Sequence, residues 1–151
     1  MRDSQPDDVK IGEIIDSFYR FALRDIKVNI ENPIAAFILS SCLIDQLATF
    51  AYNPPRHKNS ESYKRFIKDY LPEYEAFDLY INLRSALVHG YSVGEHLALS
   101  SKIEYDNDTD KISAHDLTAT SFFAVLENAF IKFCEDLVDI NSQVRKNALE
   151  R

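Results

Sequence analysis

A chain of 151 residues that is 46% hydrophobic is long and apolar enough to bury one core, which excludes a disordered tail. Three glycines and five prolines, against ten phenylalanines and eight tyrosines, favour helices packed through aromatic rings over a turn-rich β fold. With 17 Lys and Arg against 24 Asp and Glu the net charge is -7, so the overall field repels polyanions and any nucleic-acid contact has to rest on a local basic patch.

The N-terminal run Met1 to Asp8 is polar and acidic, unlike a secretory signal, and fits a cytoplasmic protein. A first helix is predicted from about Asp8 to Ile30, because Ile11, Ile14, Ile15, Phe18, Ala22, Ile26 and Ile30 follow the helical repeat. Asn32 as cap and Pro33 at the first helical position open a second helix that ends at Asn53-Pro54-Pro55. It is apolar almost all round, greasy enough from Ile34 to Ala51 to resemble a membrane span. Asp45 and Gln46, with Ser40 and Ser41, favour a buried core helix with no membrane contact.

Ser60 is placed to cap a short third helix through Leu71, with Tyr63, Phe66, Ile67 and Tyr70 inward and Lys64, Arg65 and Lys68 mostly outward. The stretch from Arg56 to Lys68 holds five Lys or Arg and one acid, Glu61, and is the strongest candidate for a basic patch. Pro72 opens a fourth helix, Glu73 to about His89, and Gly90 is its natural left-handed stop. The period then changes from helical to alternating. Leu97, Leu99, Ile103 and Tyr105 suggest a short strand, Asp106 to Asp110 a turn, and Lys111 to Ala114 a returning strand. Asp116 or Thr118 caps a long last helix whose inner face carries Phe122, Phe123, Leu126, Phe130, Phe133, Leu137 and Ile140. The charged tail from Ser142 is expected to fray.

The expected architecture is a mainly α, single-domain up-and-down bundle of four to five helices with a small β-hairpin before the last helix. One domain covers residues 1–151, with an ordered core of about 8–141. Cys42 and Cys134 lie within apolar helical patterns and read as reduced core thiols.

Chemistry concentrates in the fourth predicted helix. Counting about 100° per residue from Phe77, the positions of Ile81, Arg84 and Val88 fall within roughly 40° of one line, so Arg84 occupies the inward stripe. A guanidinium keeps its charge in a protein and there requires a carboxylate, a partner chain or an anionic ligand. Asp45, an acid within an apolar helix, is the obvious partner; the pair either only fixes helix docking or also aims the guanidinium into a cleft. Asp78, Asn82, Ser85 and His89 form a polar strip beside that stripe, and His89 sits in the last turn, where a helix C-terminus favours the imidazolium.

The spacing R-x4-H from Arg84 to His89, followed by Gly90-Tyr91, resembles the signature of HEPN domains. These are compact helical modules that commonly dimerise and in many cases cut RNA without a metal. The resemblance spans roughly residues 8 to 150, only its motif being residue-specific; Ser85 departs from active members, which often carry an amide or acid there. It implies a metal-independent endoribonuclease with Arg84, His89 and Asp45 as the catalytic set and Asn82, Ser85 and Tyr91 as secondary contacts. Arg56, Lys64, Arg65 and Lys68 would guide RNA.

Arg84 and His89 lie about 140° apart around one helix, and a homodimer that apposes two such helices would collect both pairs in one cleft. Similarity to the toxin subgroup also implies an antitoxin protein as partner, with Tyr91 as an acceptor for nucleotide modification. A tyrosine that simply packs over the helix end is the plainer reading. The rival function is a non-catalytic module of the same kind, binding a nucleotide, RNA or a protein.

No cofactor is expected. Asp106 to Asp110 imitates the start of a calcium loop, but Lys111 and Leu117 stand where glycine and glutamate are required. His57, His89, His96 and His115 show no close metal spacing, and no glycine-rich phosphate loop or G-x-S-x-G elbow occurs.

Overall fold

The computed structural model describes residues 6–52, 59–74, 76 and 118–151. Its described part is helical. The chain opens with α1 (Asp7–Ser17), passes without a break through a π-helical segment (Phe18–Leu23) and continues into α2 (Arg24–Val28). The remaining elements are α3 (Pro33–Ala51), α4 (Asn59–Tyr70), α5 (Ala119–Val138) and α6 (Gln143–Leu149).

α3 is the central element, packing against the π segment, α2, α4, α5 and α6. Its composition dictates this: Ala36, Phe37, Leu43, Ile44, Leu47, Ala48 and Ala51 are all buried, on more than one side of the helix. The helix is long and apolar enough to cross a membrane, and half of its apolar window is buried inside the bundle. Ser40 is tolerated there because its Oγ donates to the Ala36 carbonyl at 2.7 Å. Pro33 occupies the first helical position as expected. Asn32 is at the cap position but makes no side-chain cap; its carbonyl accepts from Ala36 N at 2.9 Å.

Aromatic rings join the layers. Phe66 of α4 stacks on Tyr70 at 4.6 Å between centroids, and both meet Phe133 of α5 edge-on, at 6.1 and 6.0 Å. Phe122 of α5 packs against Phe37 of α3 and against Tyr74. Phe18, in the π segment, reaches Phe50 and Phe130. The inward sets expected on α4 and α5 are buried, with one exception. Ile140 is 74% exposed, because α5 ends at Val138 and Ile140 falls in the following turn. Thr118 is the cap of α5, its Oγ1 accepting from Ser121 N at 3.2 Å.

Four expectations are corrected. Ser60 lies inside α4 rather than capping it. Pro72 and Glu73 form a turn, with Tyr74 N donating to the Leu71 carbonyl at 3.1 Å, so no helix starts at Glu73. The segment from Ser142 does not fray: Ser142 Oγ accepts from Arg145 N at 3.0 Å and starts α6. Within α6 the Arg145 guanidinium is buried, donating to the Leu137 carbonyl at 3.0 Å and to Asp8 Oδ1 at 2.8 Å. Cys42 is exposed rather than a core thiol, whereas Cys134 is half-buried and burial raises its pKa to about 11; neither forms a disulfide.

No strand occurs among the described residues, and the hairpin expected over 97–114 lies outside them. The same holds for the fourth predicted helix beyond Ala76. Because Phe133 is fully buried and meets two aromatic rings, Phe66 and Tyr70, at the α4–α5 seam, Phe133→Ala should cost about 3–5 kcal/mol of unfolding free energy. Chemical denaturation checks this, and a loss under about 1 kcal/mol would place the seam outside the cooperative core.

Candidate functional site

Asp45 is the one residue of the expected catalytic set among those described. It stands in the middle part of α3 and is half-buried on the bundle's central helix, and its backbone carbonyl accepts from Thr49 Oγ1 at 2.6 Å. Arg84 and His89 lie outside the described residues, as do Asn82, Ser85, Tyr91 and Arg56. The apposition of Asp45 with Arg84 therefore falls outside them too. All four histidines share that position in the chain, and so does the acidic run 106–110. Among the described residues no group of three or more His, Cys, Asp or Glu is arranged to hold a metal.

The basic residues of α4 are divided by the helix's geometry. Lys64 is half-buried; Arg65 and Lys68 are exposed. Arg65 turns back toward the bundle, its guanidinium lying 4.3 Å from the centroid of the Tyr52 ring and its Nε 3.8 Å from Asp69 Oδ2. With both partners largely exposed, the ion pair contributes little to stability. Its effect is directional: Arg65 is drawn onto an aromatic face.

That arrangement belongs to a polar seam absent from the expectations. Tyr52, just past α3, donates through its hydroxyl to Asp69 Oδ2 at 2.5 Å. Tyr70 donates to the carboxylate of Asp136 on α5, and Ser142 Oγ donates to the Asp136 carbonyl. Asn147 of α6 donates to the Ala51 carbonyl at 2.8 Å, capping the end of α3, while its Oδ1 accepts from Gln143 Nε2 at 2.9 Å. Tyr52, Arg65, Asp69, Tyr70, Asp136 and Asn147 line a cleft of about 370 Å³ where α3, α4, α5 and α6 meet.

Burial raises both tyrosine pKa values well above the ordinary value near 10, and the hydrogen bonds to Asp69 and Asp136 add to the effect. They are neutral donors, not phenolate nucleophiles. A sequence signal for one half existed, since Arg65 and Asp69 stand at helical i,i+4 spacing. The tyrosine–aspartate pairs span 17 and 66 positions and left none.

No protein-family model matches the chain, and comparison with curated proteins and with solved structures gives no match.

A tyrosine whose folded pKa is raised binds its proton more tightly folded than unfolded, so its contribution to stability is fully present below the ordinary value near 10 and is lost as pH rises beyond it. Unfolding free energy should fall from about pH 10 upward, and Tyr52→Phe combined with Tyr70→Phe should flatten that fall. Denaturant titrations at stepped pH measure it. An unchanged alkaline slope in the double variant would mean that other groups govern it.

Proposed function

We propose that this chain is a HEPN-like, metal-independent endoribonuclease acting in the cytoplasm as a homodimer. His89 serves as general base or acid, Arg84 stabilises charge on the phosphorus oxygens, and Asp45 positions Arg84. The observation that carries the reading is Asp45: a half-buried carboxylate on the most apolar helix of the bundle, where a guanidinium from the motif helix satisfies a demand that water cannot fully meet. The helical architecture of the described residues fits the same reading, and a short hairpin over 97–114 leading into α5 completes the proposed fold.

The chemistry needs few groups. His89 takes the proton of a ribose 2′-hydroxyl, the 2′-oxygen bonds to the adjacent phosphorus, and the bond from phosphorus to the 5′-oxygen breaks as that oxygen receives a proton. Arg84 meets the negative charge that grows on the non-bridging oxygens. Two motif helices apposed across a two-fold axis bring both pairs into one cleft. Asn82, Ser85 and Tyr91 contact the ligand, and Arg56, Lys64, Arg65 and Lys68 guide the strand.

A non-catalytic HEPN-like module that binds a nucleotide, RNA or a protein is the second reading. One observation favours it: Arg65 lies over Tyr52 and beside Asp69, which reduces the cationic surface of α4 in a chain of net charge -7.

Labelled RNA incubated with the full chain in the presence of a chelator separates the two. Cleavage should be lost by about 10²–10⁴-fold in His89→Ala and fall strongly in Arg84→Ala, with helical circular dichroism unchanged. Equal and negligible cleavage by all three proteins would overturn the nuclease reading. If the enzyme is the toxin of an antitoxin pair, expression alone arrests growth and either substitution relieves the arrest. Harmless expression of the unaltered chain in its native host without the neighbouring antitoxin would contradict that role.

A further inference from the structure

Where the π segment meets α5 the surface is indented by a hollow of about 580 Å³, a volume within the range of small-molecule sites. Leu23 and Phe130, both buried, are its deepest lining, with the half-buried Cys134 beside them. Tyr19, Ile131 and Val138 line its open side and are 67%, 55% and 60% exposed. Scattered exposed apolar residues are ordinary, but a contiguous set of large ones is not. The one irregularity of the N-terminal rod contributes here: in the π segment Tyr19 stands outward while Leu23 stays in the core. π-type turns inside helices occur frequently at functional positions.

Every charged residue lining this hollow is an acid: Glu127, Glu135 and Asp139. Glu127 and Glu135 stand one turn to either side of Ile131, and neither forms an ion pair among the described residues. Asp139 Oδ1 accepts from Asn141 N at 2.9 Å. The arginines of the rod do not neutralise this rim. Arg20 and Arg24 line an adjoining hollow instead, together with Lys27, and Arg20 is held by Asp16 at 2.9 Å.

An apolar hollow walled by one sign of charge concentrates ligands of the opposite sign. An anion is repelled, and a neutral apolar molecule leaves the three carboxylates unused. A cation with an apolar body uses both features, and the exposed ring of Tyr19 offers it an aromatic face as well. Size and charge together favour a small molecule over a basic helix. A helix long enough to cover both hollows would set its cations against Arg20, Arg24 and Lys27.

We propose that this hollow is a binding site for a small organic amine, with its apolar body against Leu23, Phe130 and Cys134 and its ammonium among Glu127, Glu135 and Asp139. The site owes nothing to Arg84 or His89, so its test is separate from that of the nuclease reading.

Phenylbutylamine, phenylbutanol and phenylbutyrate share one apolar body and differ in charge. Each is added to full-length protein, which is then treated with methyl methanethiosulfonate, and modification of each cysteine is followed by peptide mass spectrometry. Phenylbutylamine should slow modification of Cys134 saturably while leaving Cys42, exposed on α3 and outside the hollow, unaffected. The amine should bind roughly 3–10-fold tighter than the alcohol, with the carboxylate weakest. Combining Glu127→Gln, Glu135→Gln and Asp139→Asn should remove the amine's advantage while the alcohol binds as before, and Ile131→Ala should weaken both. Absence of saturable protection, equal slowing of both cysteines, or an amine preference that survives in the triple variant overturns the proposal. Protection by a lysine-rich amphipathic peptide but not by the free amine would give the hollow to a protein partner. Protection that grows with protein concentration alone would give it to a second copy. Either result overturns the proposal as well.

Discussion

A helix with apolar side chains on more than one side has to be largely enclosed, and α3, which leaves Cys42 and Gln46 exposed, imposes that requirement on the elements around it. The π segment and α2 cover it from one direction, α4 and α5 from others, and α6 closes over its end through Asn147. The hydrophobic effect acts here without direction. Direction comes from the rings, whose edge-on and stacked contacts fix how α4 and α5 meet.

The same enclosure gives Asp45 its meaning. A carboxylate on a surface helix is solvated and says nothing, but on α3 its hydration is curtailed. Charge within the bundle is otherwise handled at the margins. The Arg145 guanidinium is buried yet carries hydrogen bonds to a carbonyl and a carboxylate. Asp69 and Asp136 accept from neutral tyrosines. Each buried or partly buried charge among these has its stabilising group from another element, which is how helices that share little sequence periodicity become one unit.

Much of this was legible in the sequence because it depends on local period. The rod from Asp7 to Val28, the Pro33 start, the inward faces of α4 and α5 and the Thr118 cap all follow from patterns within a few turns of chain. The π segment was not legible, since nothing in Phe18 to Leu23 departs from an ordinary helical composition. α6 was missed because its anchor is a buried arginine, a residue that reads as solvated until a partner 137 positions away is known. The turn at Pro72 and Glu73 displaced a predicted helix start for a comparable reason: the proline fits both a first helical position and a turn. For the site, the position of Asp45 could be read from one charge in an apolar run. The polar seam of Tyr52, Asp69, Tyr70 and Asp136 could not, because it is assembled entirely by tertiary contacts.

Whether the carboxylate on the central helix is coupled to the motif arginine is measured by a double-mutant cycle in unfolding free energy, using Asp45→Asn, Arg84→Gln and the combination. Coupling means that the double variant loses less than the two single losses added, by about 1–3 kcal/mol. Losses that add to within about 0.5 kcal/mol would place the two side chains apart and contradict the assignment.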